Sequence, residues 1–273
     1  MTSEGPEQLV RLVRRADADL AEAALLIARG LDPDLDVELA LLRIDALADQ
    51  LRPRDPAALP LPAAAAELAA YLGGELGFRG ATDRYHDPDS SLLHRVLDRR
   101  EGLPITLSAL YVAIARRVRL PAFAIALPGH VVVGLADADL PVVLDPFHGG
   151  RRLEEPGLVE RVRETTGGRL AYRRAMLRPT PAVHLTRRML HNLTRDLGAA
   201  GRIDEAVWTV RTKLALPNRL PEDHRDLGEL EVRRGRFDRG AQAFERFLEL
   251  THGDTPEREA ARRAAVDARA RMN

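Results

Sequence analysis

Two histidines and one aspartate carry the chemistry open to this sequence. His130 follows the apolar run AFAIAL, Asp145 closes a second run, PVVL, and His148 lies three residues further on. An imidazole beside a carboxylate serves as general base and orienting group in acyl transfer. The order helix, strand, histidine, strand, aspartate leaves the nucleophile to the helix. The expected nucleophile is a cysteine, and the chain has none, so thiolate catalysis, thiolate metal sites and disulfides are all excluded. The same three residues form a two-histidine, one-carboxylate set whose donors suit iron or zinc. A simpler alternative is a buried histidine hydrogen-bonded to an aspartate because the fold is built around the pair.

Such residues need a frame. Gly102 permits a tight turn, and Pro104 suits the first turn of a helix, where its missing N–H would be unpaired anyway. The following helix, Ile105 to Arg119, carries Leu107, Leu110, Tyr111, Ile114 and Val118 on one side, which predicts a buried central helix ended by Pro121. AFAIAL, HVVVGL and PVVLDP are short, apolar and rich in β-branched residues, the pattern of strands buried on both faces in a small sheet. Upstream, apolar residues from Gln8 to Ala28 recur every three or four positions and predict one helix, with Gly30 as its stop. Asp34 to Leu51 and Ala63 to Leu76 predict two more, separated by the stretch from Pro53 to Pro62. This helical layer is expected to pack on the central segment. Tyr85, His86 and Asp87 read as a capped turn, Ser90 or Ser91 as the cap of the helix SLLHRVLDRR, and Arg99 with Arg100 as its solvated end.

Beyond Arg152 the pattern is helical. Leu158 to Thr166 predicts one short helix, and Pro179 with Pro181 marks a boundary. GRIDEA at Gly201 returns as GRFDRG at Gly235, 34 residues later, the period of tetratricopeptide repeats. Helices over Val183–Leu197, Glu205–Leu216, Glu222–Arg234 and Arg239–Leu250 make two hairpins, and Pro256–Met272 adds a last helix. Two repeats are fewer than the three that stand alone, so they must lean on the central domain or on a partner. Trp208 reads as a core residue of the first hairpin.

Composition bounds the function. At 273 residues the chain can bury a substantial core, and 30 % charged with 45 % hydrophobic residues is a globular profile. Lys plus Arg equals Asp plus Glu, 41 each, so no general attraction to nucleic acid or anionic membrane follows. Lys213 is the single lysine. The start lacks a basic segment followed by an apolar one, and no apolar run is long enough to span a bilayer, which points to the cytoplasm.

From its helical start through RVLDRREGLPITLSALYVAIARR, LPGHVVV and VLDPFHGG to the repeats, the chain resembles the SirB-type proteins, which join a transglutaminase-like domain to tetratricopeptide-type helices. The resemblance implies an α+β, mostly helical protein. A helical region over 1–80 packs on a transglutaminase-like core over 81–178, and TPR-like hairpins follow over 179–273. Laid on the active transglutaminase pattern, Pro104 falls where the cysteine stands, His130 on the base and Asp145 on the orienting carboxylate. Arg119 falls where the family often has glycine.

Proline offers no nucleophile, so thiol acyl transfer is excluded. The hydroxyls near that position are Thr106 and Ser108. A residue two places along a helix is rotated by about 200° and one four places along by about 40°, so Ser108 is the better alternative nucleophile for a residual hydrolase or acyltransferase with His130 and Asp145. The expectation is instead a protein without catalysis or cofactor that binds a protein or peptide through the cleft or the repeats. On the repeats, Asn192, Arg195, Arg211 and Arg225 are candidate contacts. A metal at His130, Asp145 and His148 is the further alternative.

Overall fold

The computed structural model describes residues 4–136 and 140–272. Helices α1 (Glu4–Val13), α2 (Leu20–Leu31), α3 (Val37–Leu51) and α4 (Leu61–Ala69) come first, and α4 runs into a wider π-turn at Ala70–Glu75. Strand β1 (Arg79–Gly80), helix α5 (Leu93–Arg99), strand β2 (Glu101–Gly102) and helix α6 (Pro104–Arg117) lead to four strands, β3 (Ala122–Leu127), β4 (His130–Leu135), β5 (Val142–Asp145) and β6 (Arg151–Leu153). The rest is helical: α7 (Glu155–Thr166), α8 (Ala182–Ala199), α9 (Ile203–Ala215), α10 (Glu222–Arg233), α11 (Phe237–Leu250) and α12 (Pro256–Ala270). The architecture is thus α+β and mostly helical.

α6 is the centre. From Pro104 to Ala115 every residue is buried, which takes partners on all sides. α2 and α3 cover one flank and the sheet covers another. The sheet is an antiparallel meander, β3-β4-β5-β6. Its side chains alternate as the pleat requires. Ala122, Ala124, Val131, Val133 and Leu144 join the main core with α6, while Ile125, Leu127, Val132 and Val143 face Leu153, Leu158 and Leu177. Because β4 begins at His130 and the antiparallel β5 ends at Asp145, both residues arrive at the same end of the sheet.

The helical layer is two helices at its start, not one. Asp19 caps α2, its carboxylate accepting from the N–H groups of Ala21 (2.8 Å) and Glu22. Gly30 is not a stop. It lies inside α2, and a Cβ there would overlap the ring of Trp208. Trp208 is buried, as the sequence predicts, and it is the contact through which α9 docks on α2. Ser90 and Ser91 do not cap α5. Asp87 instead caps a 3₁₀ turn at Pro88–Ser91, Ser90 donates to the Arg84 carbonyl, and α5 starts at Leu93 with no side-chain cap. Arg99 and Arg100 are exposed at the end of α5, as the sequence predicts, and Arg99 is also ion-paired with Asp87 and Asp89.

α6 ends before Pro121, and Arg119 takes the left-handed conformation, φ 63°. Glycine adopts that conformation without penalty, which is the physical reason a glycine suits this position. The pair β1–β2 and strand β6 were not predicted, being two and three residues long.

The first hairpin is continuous with the core. Leu185, Met189, Leu190, Leu193 and Leu197 of α8, with Ala206, Val207 and Val210 of α9, belong to the same buried cluster as α2 and α6. α11 and α12 form a separate small cluster around Phe244 and Phe247. Among the described residues no helix is long and apolar enough to cross a membrane.

Candidate functional site

His130 is buried, and its Nε2 lies 2.9 Å from Asp145 Oδ1. Asp145 is fully buried, and its backbone turns into the 3₁₀ turn Pro146–His148. Oδ1 also accepts from the Phe147 N–H, and Oδ2 stands 2.9 Å from His148 Nδ1. Burial alone would raise the Asp145 carboxyl, but the hydrogen bonds and charge of His130 and His148 outweigh it and hold it below the usual carboxylate range. The carboxylate is thus within hydrogen-bond distance of a ring nitrogen of each histidine. Among the described residues His130 Nδ1 has no protein partner, and it is not sealed from solvent.

The 146–150 turn is fixed by close backbone approaches. A Cβ on Gly73 would overlap the Gly149 carbonyl, and one on Gly80 would meet the Phe147 ring at 2.5 Å. Phe147 in turn sets its ring against Tyr85 (5.9 Å between centroids), His130 (6.0 Å) and His148 (5.3 Å). Such edge-on aromatic contacts hold ring orientation as well as burying area.

α7 adds a cation. Arg161 Nη2 lies 3.4 Å from Asp145 Oδ2 and 3.2 Å from His148 Nδ1, while Nη1 pairs with Glu164. One ligand atom from each of His130, Asp145 and His148 lies within 4.8 Å of the others, so the set could hold a metal ion. Yet Asp145 and His148, two of its three ligands, already face a fixed guanidinium, whose charge opposes a second cation.

Ser108 is not brought to this pair. It is fully buried, and its hydroxyl donates to the Val131 carbonyl at 3.3 Å. Thr106 is buried as well, with its hydroxyl 3.5 Å from the Ser91 carbonyl. Pro104 is the first residue of α6 and is buried. One turn beyond Ser108, Tyr111 is fully buried, and its hydroxyl has no partner among the described residues. Burial, with Asp145 nearby, pushes that phenol above its usual range.

In the hairpins, Arg195 pairs with buried Asp196, Arg211 with buried Glu231, and Arg225 with Asp226. Of the four candidate contacts, Arg195 lines a 410 Å³ groove between α8 and α10, with His191, Asp226, Glu229 and Arg233 around it. Asn192, Arg211 and Arg225 are not among its lining residues. Lys213 is fully buried between Asp223 (3.2 Å) and Asp226 (3.0 Å).

Sequence reasoning missed Arg161, Phe147 and Tyr85. The turn assigned to Tyr85 and His86 is real, but both side chains work elsewhere, Tyr85 on Phe147 and His86 Nδ1 on Asp196 at 3.2 Å. An aromatic between Asp145 and His148 was the available signal for Phe147. Arg161 gave none, as one arginine among many on an amphipathic helix.

Residues 38–191, from α3 to α8, match the Transglutaminase-like superfamily. The chain is 35 % identical over 234 residues to a UPF0162 protein of Xylella fastidiosa (strain 9a5c), covering 85 % of this chain and 83 % of that one. It is 33 % identical over 185 residues to a UPF0162 protein of Pseudomonas aeruginosa, covering 67 % and 66 %. A UPF0162 protein of Vibrio cholerae is 27 % identical over 135 residues, 48 % and 49 % of the two chains.

Proposed function

This chain belongs to the transglutaminase-like superfamily and, within it, to the UPF0162 proteins, and from that premise we propose that it is a non-catalytic binding protein that engages a protein or peptide segment at the cleft beside His130. In finer terms we read it as a SirB-type protein of the cytoplasm whose C-terminal hairpins are TPR-like. The observation that carries the reading is the absence, among the described residues, of a nucleophile hydrogen-bonded to His130. Pro104 opens α6, and the hydroxyl that could replace a cysteine, Ser108, is buried and donates to Val131. A base is useful in acyl transfer only when it lies within hydrogen-bond reach of the proton it takes. What the site retains is an open ring nitrogen, His130 Nδ1, beside Phe147 and His148. A ring nitrogen of that kind suits one hydrogen bond with a docked segment.

Two measurements with the full chain test this. Ester hydrolysis and amine incorporation should be indistinguishable between the protein and His130→Gln, and turnover that depends on His130 overturns the non-catalytic reading. A benzoylphenylalanine placed at position 148, which is part exposed, should crosslink on irradiation in the host cell to one discrete peptide segment. The same labelling pattern from exposed position 262 on α12 overturns the binding reading.

A further inference from the structure

Three arginines of α8 point to carboxylates or fail to, and the exception is informative. Arg187 makes a bidentate pair with Asp223, and Arg195 a bidentate pair with Asp196. Arg188, between them, has no carboxylate. Among the described residues its one hydrogen bond runs from Nη1 to the Leu127 carbonyl at 2.9 Å, and the Tyr85 phenol is near enough to act on its charge. The side chain is half-buried in the seam between α8 and the β3–β4 turn. Burial without a counter-charge pushes its guanidinium below the usual range, and Tyr85 only partly offsets that.

A role in bracing the fold accounts for one of its five N–H groups. Arg188 clamps the end of β3, where Leu127 pairs with His130. The remaining donors are neither bonded to protein nor sealed in, because none of them is a buried, unpartnered atom. The Tyr85 hydroxyl is likewise open and without a protein partner among the described residues. Tyr85 also joins this seam to the His130 site, since its ring packs on Phe147 and Phe147 packs on His130. A planar fork of donors with no internal acceptor, half-withdrawn from water beside a phenol, has the chemistry that takes a carboxylate in two parallel hydrogen bonds.

We propose that Arg188, with Tyr85 beside it, is a carboxylate-binding site for the segment that docks in the cleft, and that the segment presents either its C-terminal carboxylate or an acidic side chain there. This rests on the binding reading above, but it concerns a different contact and is read with different molecules.

The test titrates the full-length protein with three short peptides and follows backbone amide signals at positions 85, 127 and 188 by NMR. Acetyl-Ala-Ala carries a C-terminal carboxylate, acetyl-Ala-Glu-Ala-amide a side-chain carboxylate, and acetyl-Ala-Ala-amide none. One or both carboxylate peptides should bind with a dissociation constant on the order of millimolar or below, and the comparison between them tells which source of carboxylate is preferred. Arg188→Gln should weaken that binding by about tenfold or more, the usual consequence of losing a charge-assisted pair. Arg188→Lys should fall between, keeping charge but not the fork. Tyr85→Phe leaves the Leu127 contact intact and should weaken binding several-fold, so it decides the matter if Arg188→Gln fails to fold. Equal binding of the uncharged peptide, affinity unchanged in these variants, or no shifts at the seam with any peptide overturns the proposal. A failure here with a discrete crosslink at position 148 leaves the binding reading standing, whereas carboxylate binding without any crosslink removes that reading alone.

Discussion

Ser108 and His130 lie on neighbouring elements and do not meet, for the Ser108 hydroxyl donates to the carbonyl of Val131, the residue after His130, at 3.3 Å. A hydroxyl spent on a strand carbonyl is a packing element. Ser108→Ala is therefore expected to cost about 1 kcal/mol or less in urea unfolding, the value of one long neutral hydrogen bond. It should leave the ring signals of His130 unchanged in an NMR spectrum at fixed pH, and displaced ring signals would mean that the two side chains are coupled.

Arg161 decides how the three candidate ligands treat a metal. Its guanidinium stands 3.2 Å from His148 Nδ1 and 3.4 Å from Asp145 Oδ2. At an effective dielectric near 20, like charges a few ångströms apart repel by about 4 kcal/mol per charge pair. Arg161→Gln should then bind zinc at least about tenfold more tightly than the unchanged protein, measured by competition with a chelating dye. Equal affinities would show that the guanidinium does not guard the site.

The histidine and aspartate were legible in the sequence because each sits at the end of an apolar run, and strand ends in a short meander come together. Arg161, Tyr85 and Phe147 reach the same place from α7, the loop before α5 and a turn, and no periodicity in one segment reports a contact made by another. The break between α1 and α2 was missed because apolar spacing continues across it, although Asp19 carries a cap signal of its own. The two-residue strands β1 and β2 are too short for alternation to appear.

Gly30 joins the N-terminal layer to the first hairpin. A Cβ there would overlap the Trp208 ring, so Gly30→Ala gains helix propensity of about 1 kcal/mol but forces the indole out of place. The net effect should be a loss of roughly 1–2 kcal/mol in chemical unfolding. Combining it with Trp208→Leu should recover part of the loss, an interaction energy that independent sites would not give.

Arg119 holds a left-handed backbone after α6 at φ 63°. Relief of that strain in Arg119→Gly outweighs the extra freedom of the unfolded chain, and a gain of about 0.5–1 kcal/mol is expected in the midpoint of denaturation. A loss of stability would mean that the exposed side chain makes a contact worth more than the strain.

His94 should make the protein acid-sensitive. It is buried on α5, neither ring nitrogen has a hydrogen-bond partner among the described residues, and Nε2 lies 3.4 Å from Asp32 Oδ2 at the end of α2. Burial lowers its pKa and Arg95 adds to the effect, while Asp32, Asp98 and Asp89 only partly offset them. The unfolded chain, with an ordinary histidine pKa of about 6.5, therefore binds more protons than the folded one just below that pH. Stability is full above about pH 6.5 and declines as the pH falls toward the folded pKa, by at most about 1.4 kcal/mol per pH unit for this one group. His191 and His224 are shifted the same way and contribute to the total slope, so the diagnostic quantity is the difference between two proteins. His94→Leu removes both unpartnered nitrogens and the proton, and its advantage over the unchanged protein should widen between pH 7 and pH 5. Parallel stability curves over that interval would show that Asp32 holds the protonated ring in the fold as well as water does outside it.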